Sequence, residues 1–195
     1  EPNLLTNEII EFVAGSRHFM PHFHIPLQSG SNEMLKLMHR RYTREAFATK
    51  INTIKSLIPD AFIGVDTIVG MRGETEDYFK EARDFIEKLN ISQLHVFPYS
   101  ERQGTKALEI PFIVPQEEKH HRVTELLNIS NKKLHKFYQQ CEGQTRPVLF
   151  EETKTGRHIC GFTDNYIKIQ LPYDQTLANQ IIPVPLKTEI LAIEE

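Results

Sequence analysis

The chain has 195 residues, a formal net charge of −3 and 39% hydrophobic residues. This balance predicts an ordinary folded core and excludes a strongly basic protein that wraps nucleic acid. No apolar run reaches the length of a transmembrane helix, and the N-terminus lacks the pattern of a secretory signal. We therefore expect a cytoplasmic protein with no membrane partner.

The two cysteines, Cys141 and Cys160, are too few for a disulfide framework or for a cluster held by four thiolates. We interpret both as unreactive thiols and expect no metal-binding residues in the chain. The sequence opens at Glu1, in what reads as the loop before a helix. This opening suggests a piece of a longer protein.

The first two-thirds of the sequence alternates between strand and helix patterns. Apolar or alternating composition predicts strands at residues 22–28, 61–69 and 93–99. Apolar residues that recur every three or four positions predict helices at residues 4–13, after an N-cap at Ser31, and from Thr43, Glu74 and Pro115. This alternation is typical of parallel strands with covering helices.

Three parallel strands cannot close a barrel, so we expect the second half of a larger α/β barrel. Its unpaired sheet edge predicts marginal stability or self-association. From about Gly143 the pattern changes to short strands, predicted at residues 146–151, 158–162, 166–171 and 181–193. The predicted fold is therefore α/β, with a partial parallel (β/α) barrel over residues 1–142 and a small all-β barrel over residues 143–195.

Polar residues occur where the predicted parallel strands end, which is where such folds place their ligands. They are Gln28, Ser29 and Ser31, then Asp66 and Thr67, then Tyr99, Ser100 and Arg102, with Arg40 after the intervening helix. Hydrogen bonding to the loop backbone, or capping of a helix, is an alternative role for Gln28 and Ser31. An unpaired carboxylate inside an apolar strand costs several kcal/mol, so Asp66 favours a ligand site more strongly.

Three motifs in this part resemble one family, the radical S-adenosylmethionine methylthiotransferases. They are HIPLQSGS at residues 24–31 with RRYT at 40–43, DTIVGMRGETE at 66–76, and HVFPYSERQGT at 95–105. The tail from Gly143 resembles the family's small RNA-binding β-barrel, called TRAM. Two positions depart from the family pattern: Met71-Arg72 stands where Phe-Pro is usual, and Gln103 where Pro is frequent.

This resemblance implies a tRNA-modifying enzyme that adds a methylthio group to C2 of an N6-modified adenosine. Residues 95–100 and 40–42 look closest to the branch that acts on threonylcarbamoyladenosine next to the anticodon. The implied cofactors are S-adenosylmethionine and 4Fe–4S clusters: one cluster reduces S-adenosylmethionine to a 5′-deoxyadenosyl radical, and a second serves in sulfur delivery. The cluster cysteines are absent from this chain, so the fragment alone is expected to be inactive. Implied partners are tRNA and the sulfur and electron donors of the parent enzyme.

Carried over by position, Gln28 and Asp66 would contact ribose hydroxyls or nearby atoms, and Arg40 the methionyl carboxylate. These pairings suit the hydrogen-bonding chemistry of the side chains. Tyr99 and Arg102 lie where the substrate would enter, and no catalytic residue is assigned. From Gly143 onward the chain has five Lys/Arg and seven Asp/Glu, so RNA contact must rest on local residues. The candidates are Arg146, Lys154, Arg157, Tyr166 and Lys168.

Several alternatives stay open. His18, His22 and His24 could form a metal site, although packed or hydrogen-bonded histidines are the more common case. The sequence from Gly70 to Gly73 could cradle a phosphate or simply make a tight turn. For the function, the alternatives are a sibling enzyme acting on a ribosomal-protein aspartate, or a non-catalytic RNA-binding or scaffold fragment.

Overall fold

The N-terminal part is built on a three-stranded parallel sheet. The computed structural model describes residues 1–192, apart from the side chains of residues 153–155. The strands are β1 (His22–Gln28), β2 (Phe62–Val69) and β3 (Gln93–Pro98), with β2 in the centre. In register, His24 lies beside Gly64, and Asp66 beside His95. The predicted parallel strands are therefore confirmed.

Five helices accompany this sheet. They are α1 (Asn7–Gly15), α2 (Asn32–Leu37), α3 (Arg44–Leu57), α4 (Glu76–Lys88) and α5 (Gln116–Cys141). The hydroxyls of Thr6, Thr43 and Thr75 accept the first free N–H groups of α1, α3 and α4, as N-cap residues do. These caps explain why the three helices begin where they do.

The helices cover one face of the sheet and leave the other face open. Alternate strand residues such as Ile25, Leu27, Ile63 and Val65 are buried beneath the helices. The helices contribute their apolar stripes to the same core, including Ile10, Phe47, Ile51, Ile54, Phe79, Ile86 and Leu126. Because strand side chains alternate, the remaining residues project from the uncovered side, where the other half of a barrel would lie.

The C-terminal part forms a four-stranded antiparallel sheet. Its strands are β4 (Thr145–Thr155), β5 (His158–Thr163), β6 (Lys168–Pro172) and β7 (Ile181–Pro185), in the order β6-β5-β4-β7. The all-β prediction holds, but the described strands make an open sheet rather than a closed barrel. A single bridge between Ile169 and Leu191 links the chain after β7 to β6. Ile193, the end of the last predicted strand, lies outside the described residues.

The two parts share a second apolar core. It combines residues of the antiparallel sheet, such as Phe150 and Ile159, with Phe62 of β2 and Phe137 of α5. An ion-pair group reinforces the junction, because the Arg146 guanidinium pairs with both Asp60 and Asp164. The boundary predicted at residue 142 lies directly after α5, and the parts on either side of it pack against each other.

Local predictions needed three corrections. Helix α4 begins two residues after Glu74, whose carboxylate accepts the Gly70 N–H at 2.6 Å instead of opening the helix. Ser31 occupies the N-cap of α2, but its hydroxyl donates to Glu81 at 2.7 Å and caps no N–H. The last strand stops at Pro185 and is followed by a 3₁₀ turn at Thr188–Ile190.

None of the helices within residues 1–192 has both the length and the apolar character that crossing a membrane requires.

Candidate functional site

The uncovered face of the parallel sheet carries a cluster of polar side chains. We call it the open face, and its central residues are His24, Gly64, Asp66 and His95. The His24 Nε2 and Asp66 Oδ1 atoms are 2.7 Å apart. An ionised carboxylate only accepts hydrogen bonds, so His24 is the donor. The side chains remain 46% and 28% exposed, respectively, which leaves the pair accessible to a ligand.

His22 lies on the same face, at the start of β1, and its ring contacts the C-terminal part. Its ring stacks on Tyr166 with centroids 4.3 Å apart and planes 5° from parallel. Burial lowers the pKa of His22, and the neighbouring His24 and His95 lower it further. Because its ring stacks on Tyr166, His22 is a packing residue at the junction of the two parts.

Gln28 and Asp66 occupy neighbouring strands, as the sequence predicted. Gln28 ends β1 in the left-handed backbone region, with φ of 69°, and pairs in register with Thr67. Asp66 lies inside β2 rather than at its end. Within residues 1–192, the Gln28 amide makes no side-chain hydrogen bond, and the buried Thr67 hydroxyl has no partner. The Gln28 amide is therefore free to bond to a ligand, whereas the Thr67 hydroxyl, which alternates with Asp66 along β2, lies on the face that the helices cover.

Arg40 does not touch Gln28 or Asp66 in this structure. Its guanidinium pairs with Glu1 at 2.8 Å, and its buried Nε has no partner among the described residues. Tyr42 ties this segment to β1, because its hydroxyl donates to the carbonyls of Pro26 and Leu27. Arg40 is thus held beside the end of β1, and one of its N–H groups makes no hydrogen bond with the described residues.

Tyr99 and Arg102 line two clefts above the carboxyl end of β3. Tyr99 borders a cleft of about 560 Å³, and its carbonyl accepts from Lys119 Nζ at 3.3 Å. Exposed Arg102 borders a second cleft of about 390 Å³ together with Ile68 and Phe97 of the open face. Tyr99 borders this second cleft as well, so both predicted residues lie beside the cleft that adjoins the open face.

Arg72 and Arg122 are important polar residues that sequence reasoning did not select. Arg72 contacts Glu101 at 2.6 Å and the carbonyls of Leu108 and Ile110, so it fastens the chain after β3 across the sheet end. The sequence feature that could have drawn attention to Arg72 is that it stands where the family usually has Pro.

Arg122 forms a nearly buried ion pair with Glu74 at 2.8 Å. Burial alone would lower the pKa of Arg122, but hydrogen bonds to Glu74 and Glu118 raise it above its ordinary value. The same Glu74 carboxylate takes the Gly70 N–H. The turn from Gly70 to Gly73 is thereby closed from within, which favours the tight-turn interpretation over a phosphate cradle.

The structure separates the predicted RNA-contact residues. Arg146 is nearly buried in its two ion pairs, and Tyr166 is stacked on His22 and on Phe162, 5.0 Å away. Arg157 is exposed, and Lys168 borders a crevice of about 230 Å³. The Lys154 side chain lies outside the described residues. Tyr166 is nevertheless 47% exposed, so Arg157, Lys168 and Tyr166 are the accessible members among the described side chains.

Comparison with known proteins shows which family the chain resembles. The family described as "Radical SAM superfamily" matches residues 2–86. The threonylcarbamoyladenosine tRNA methylthiotransferase MtaB of Bacillus subtilis is 37% identical over 190 residues, 95% of this chain and 42% of that protein. The chain belongs to the radical SAM tRNA methylthiotransferase family.

Two further matches agree with this membership. The tRNA-2-methylthio-N(6)-dimethylallyladenosine synthase of Desulfitobacterium hafniense is 34% identical, over 94% of this chain and 41% of that protein. The solved structure of the radical SAM enzyme coproporphyrinogen III oxidase (HemN) from Escherichia coli superposes with a TM-score of 0.57 at 12% identity. It covers 90% of this chain and 45% of that one, and it supports the fold alone. The chain spans about two-fifths of the length of the curated relatives it matches.

The family as a whole implies S-adenosylmethionine and a 4Fe–4S cluster, and the residues present fit only the first. Cys141 and Cys160 are the only thiols in the sequence and both are buried. Burial raises the pKa of the Cys141 thiol, which disfavours the thiolate that iron needs. By contrast, the accessible Asp66 carboxylate and the Gln28 amide suit the hydroxyls of S-adenosylmethionine, and the Arg40 guanidinium suits its carboxylate.

Proposed function

We propose that this chain is the C-terminal part of a tRNA methylthiotransferase that modifies C2 of threonylcarbamoyladenosine next to the anticodon. Residues 1–142 would be the second half of the radical SAM barrel, and residues 143–195 a TRAM-like RNA-binding domain. Because its proposed substrate is tRNA, we place the enzyme in the cytoplasm. A relative named for this substrate is 37% identical over 190 residues, whereas two relatives of the other named branch are 34% identical over 185 residues and 38% identical over only 150; the longer match at 37% supports the choice of branch.

The observation that carries the proposal is the accessible Asp66 carboxylate on the open face of a parallel sheet. In such folds, ligands bind toward the carboxyl ends of the strands. Asp66 would accept hydrogen bonds from the ribose hydroxyls of S-adenosylmethionine, and Gln28 would bond to the same sugar. Arg40 would pair with the methionyl carboxylate. One S-adenosylmethionine, bound to the cluster, would supply the radical, and another would supply the methyl group.

The tRNA would approach across the open face, where Arg102 borders the adjoining cleft. Accessible basic residues of the C-terminal part, Arg157 and Lys168, would contact its phosphates. The 4Fe–4S ligands, and the groups that receive sulfur and electrons, would come from the part of the enzyme that precedes this chain. The residues of this chain would therefore bind and orient S-adenosylmethionine and the tRNA, and they would contribute to the reaction by positioning these two molecules.

A reconstituted enzyme tests this proposal. The longer protein that carries this chain would be loaded with clusters without oxygen and incubated with S-adenosylmethionine, reductant and tRNA that lacks the methylthio group. Mass analysis of the digested nucleosides should show a methylthio gain on threonylcarbamoyladenosine. A gain on dimethylallyladenosine instead would move the substrate to the other named branch. Formation of 5′-deoxyadenosine with no gain on any nucleoside would indicate a protein substrate. Absence of both products would favour a non-catalytic RNA-binding fragment.

A further inference from the structure

Two histidines from strands that are not neighbours meet on the open face. His24 belongs to β1 and His95 to β3, with β2 between them. Their ring centroids are 5.1 Å apart and the ring planes differ by only 3°. The residue that separates them on β2 is Gly64, whose missing side chain leaves the space in which they stack. A Cβ built on Gly64 would already lie 3.7 Å from His95 Nε2 and 3.8 Å from His24 Nδ1.

The stack determines the orientation of the His24 ring, and the ring in turn determines the orientation of Asp66. A carboxylate on a strand surface rotates broadly about its last torsion unless a partner holds it. Here His24 Nε2 engages Oδ1 at 2.7 Å. The second oxygen, Oδ2, makes no hydrogen bond with any group in residues 1–192. One oxygen is thus fixed to the protein, and the other is presented to the open face.

We propose that His24, supported by His95, is a positioning residue that presents Oδ2 of Asp66 to the vicinal hydroxyls of a bound ribose. This inference rests on the proposed function, since it assigns a role within the same S-adenosylmethionine site. His24 does not itself touch the sugar. It restricts Asp66 to the orientation that accepts two hydroxyl hydrogen bonds, which lowers the entropic cost of binding.

A binding measurement on the longer protein that carries this chain tests the inference without catalysis. The ligands are S-adenosylhomocysteine and its 2′,3′-dideoxy analogue, and affinity is measured by calorimetry. His24→Leu keeps similar volume and removes the donor, whereas His24→Gln retains an amide donor near the position of Nε2. We expect His24→Leu to weaken S-adenosylhomocysteine binding by up to about tenfold, the upper end of the cost of immobilising one side chain on binding. His24→Gln should restore most of that loss.

The dideoxy analogue separates positioning from a structural effect. Because it lacks the hydroxyls, its affinity should be the same for wild type and His24→Leu. An equal loss for both ligands would mean a general disturbance of the site and would overturn the inference, as would unchanged binding of S-adenosylhomocysteine. If the wild-type protein binds neither ligand, the proposed function fails and this inference fails with it.

Discussion

The His24 and His95 rings stack in parallel above Gly64, although their strands are separated by β2. This contact requires a small residue at the intervening position, because a Cβ there would already lie 3.7 Å from His95. It places two imidazoles and the Asp66 carboxylate on one accessible patch. The central feature of the candidate site therefore depends on a glycine that no chemical argument from the sequence would select.

Enlarging Gly64 should separate the two rings. A Cβ at this position makes ordinary contacts of 3.7 Å or more, so Gly64→Ala is expected to keep the stack. Gly64→Val adds two methyl groups between the rings and should force them apart. Nuclear magnetic resonance of the histidine ring protons measures this as loss of the mutual ring-current shifts in the valine variant alone. Because valine suits a strand, its stability should stay within about 1 kcal/mol of wild type.

The turn after β1 packs closely against α4 at Gly30. A Cβ there would lie 2.6 Å from the Ala82 carbonyl oxygen and 2.9 Å from the Ala82 Cα. These are backbone atoms, so the helix itself must move. Gly30→Ala should therefore lower the free energy of unfolding by about 1–3 kcal/mol, the usual cost of overpacking. Urea denaturation followed by circular dichroism measures the loss.

Gly15 offers a matched control, because a Cβ at this helical residue meets nothing within 4 Å. Gly15→Ala should be neutral or stabilising by up to about 1 kcal/mol. Equal effects of the two substitutions would show that the contact between Gly30 and Ala82 is not tight.

Removing Arg122 should leave a buried carboxylate without its cation. We expect Arg122→Met to cost about 3–5 kcal/mol at neutral pH, as breaking one side of a buried pair does. Arg83, which makes two more exposed ion pairs with Asp84 and Glu125, provides the control. Arg83→Met should cost no more than about 1 kcal/mol.

The pH dependence of the Arg122→Met variant gives an independent check. Burial raises the pKa of Glu74, and hydrogen bonds from Arg122 oppose the rise. Without Arg122 this pKa should rise further above its value in the unfolded chain. A group of this kind stabilises the fold at low pH and loses that contribution as the pH rises through the folded pKa. The variant should therefore recover part of its lost stability between about pH 7 and pH 5, and a variant that loses further stability over that range would contradict the assignment.

The accessible basic residues of the C-terminal part should contribute to tRNA affinity. The Arg157→Ala, Lys168→Ala double variant is expected to weaken binding of all tRNA sequences alike and to reduce the slope of log affinity against log salt by about two. Filter binding over a salt series measures the slope. Lys36→Ala removes an exposed lysine in α2 that pairs with Glu33, and it should leave the slope unchanged. If the double variant keeps the wild-type slope, the RNA surface lies elsewhere.

The sequence predicted elements whose signal is local. The period of Phe47, Ile51 and Ile54 marked α3, and the apolar run before Gly70 marked β2. Glu74 was misread as a helix start because it precedes Thr75 and Glu76 in an acidic stretch. Its actual partner, Arg122, is distant in the sequence. A pairing that the tertiary fold creates leaves no periodic pattern to recognise.

The candidate site was predicted in part for the same reason. Gln28 and Asp66 were selected because parallel strands bring their polar positions together. Arg146 was selected as a basic residue, and no pattern in its own segment indicated that Asp60 and Asp164 neutralise it. Base stacking by the exposed Tyr166 stays a prediction, but no pattern in the sequence indicated that its ring also stacks on His22. Residue type predicted what these side chains can do, and only the fold decided which partner they have.

The most direct test of the account is the level of methylthio-threonylcarbamoyladenosine in tRNA from cells that lack the parent gene and are complemented with variants of it. Asp66→Ala removes the carboxylate from the open face. Asp77→Ala makes the same chemical change at an exposed position in α4. With both proteins present at wild-type levels, the account predicts that the nucleoside disappears for Asp66→Ala and remains for Asp77→Ala. Full modification by Asp66→Ala would contradict the placement of the S-adenosylmethionine site.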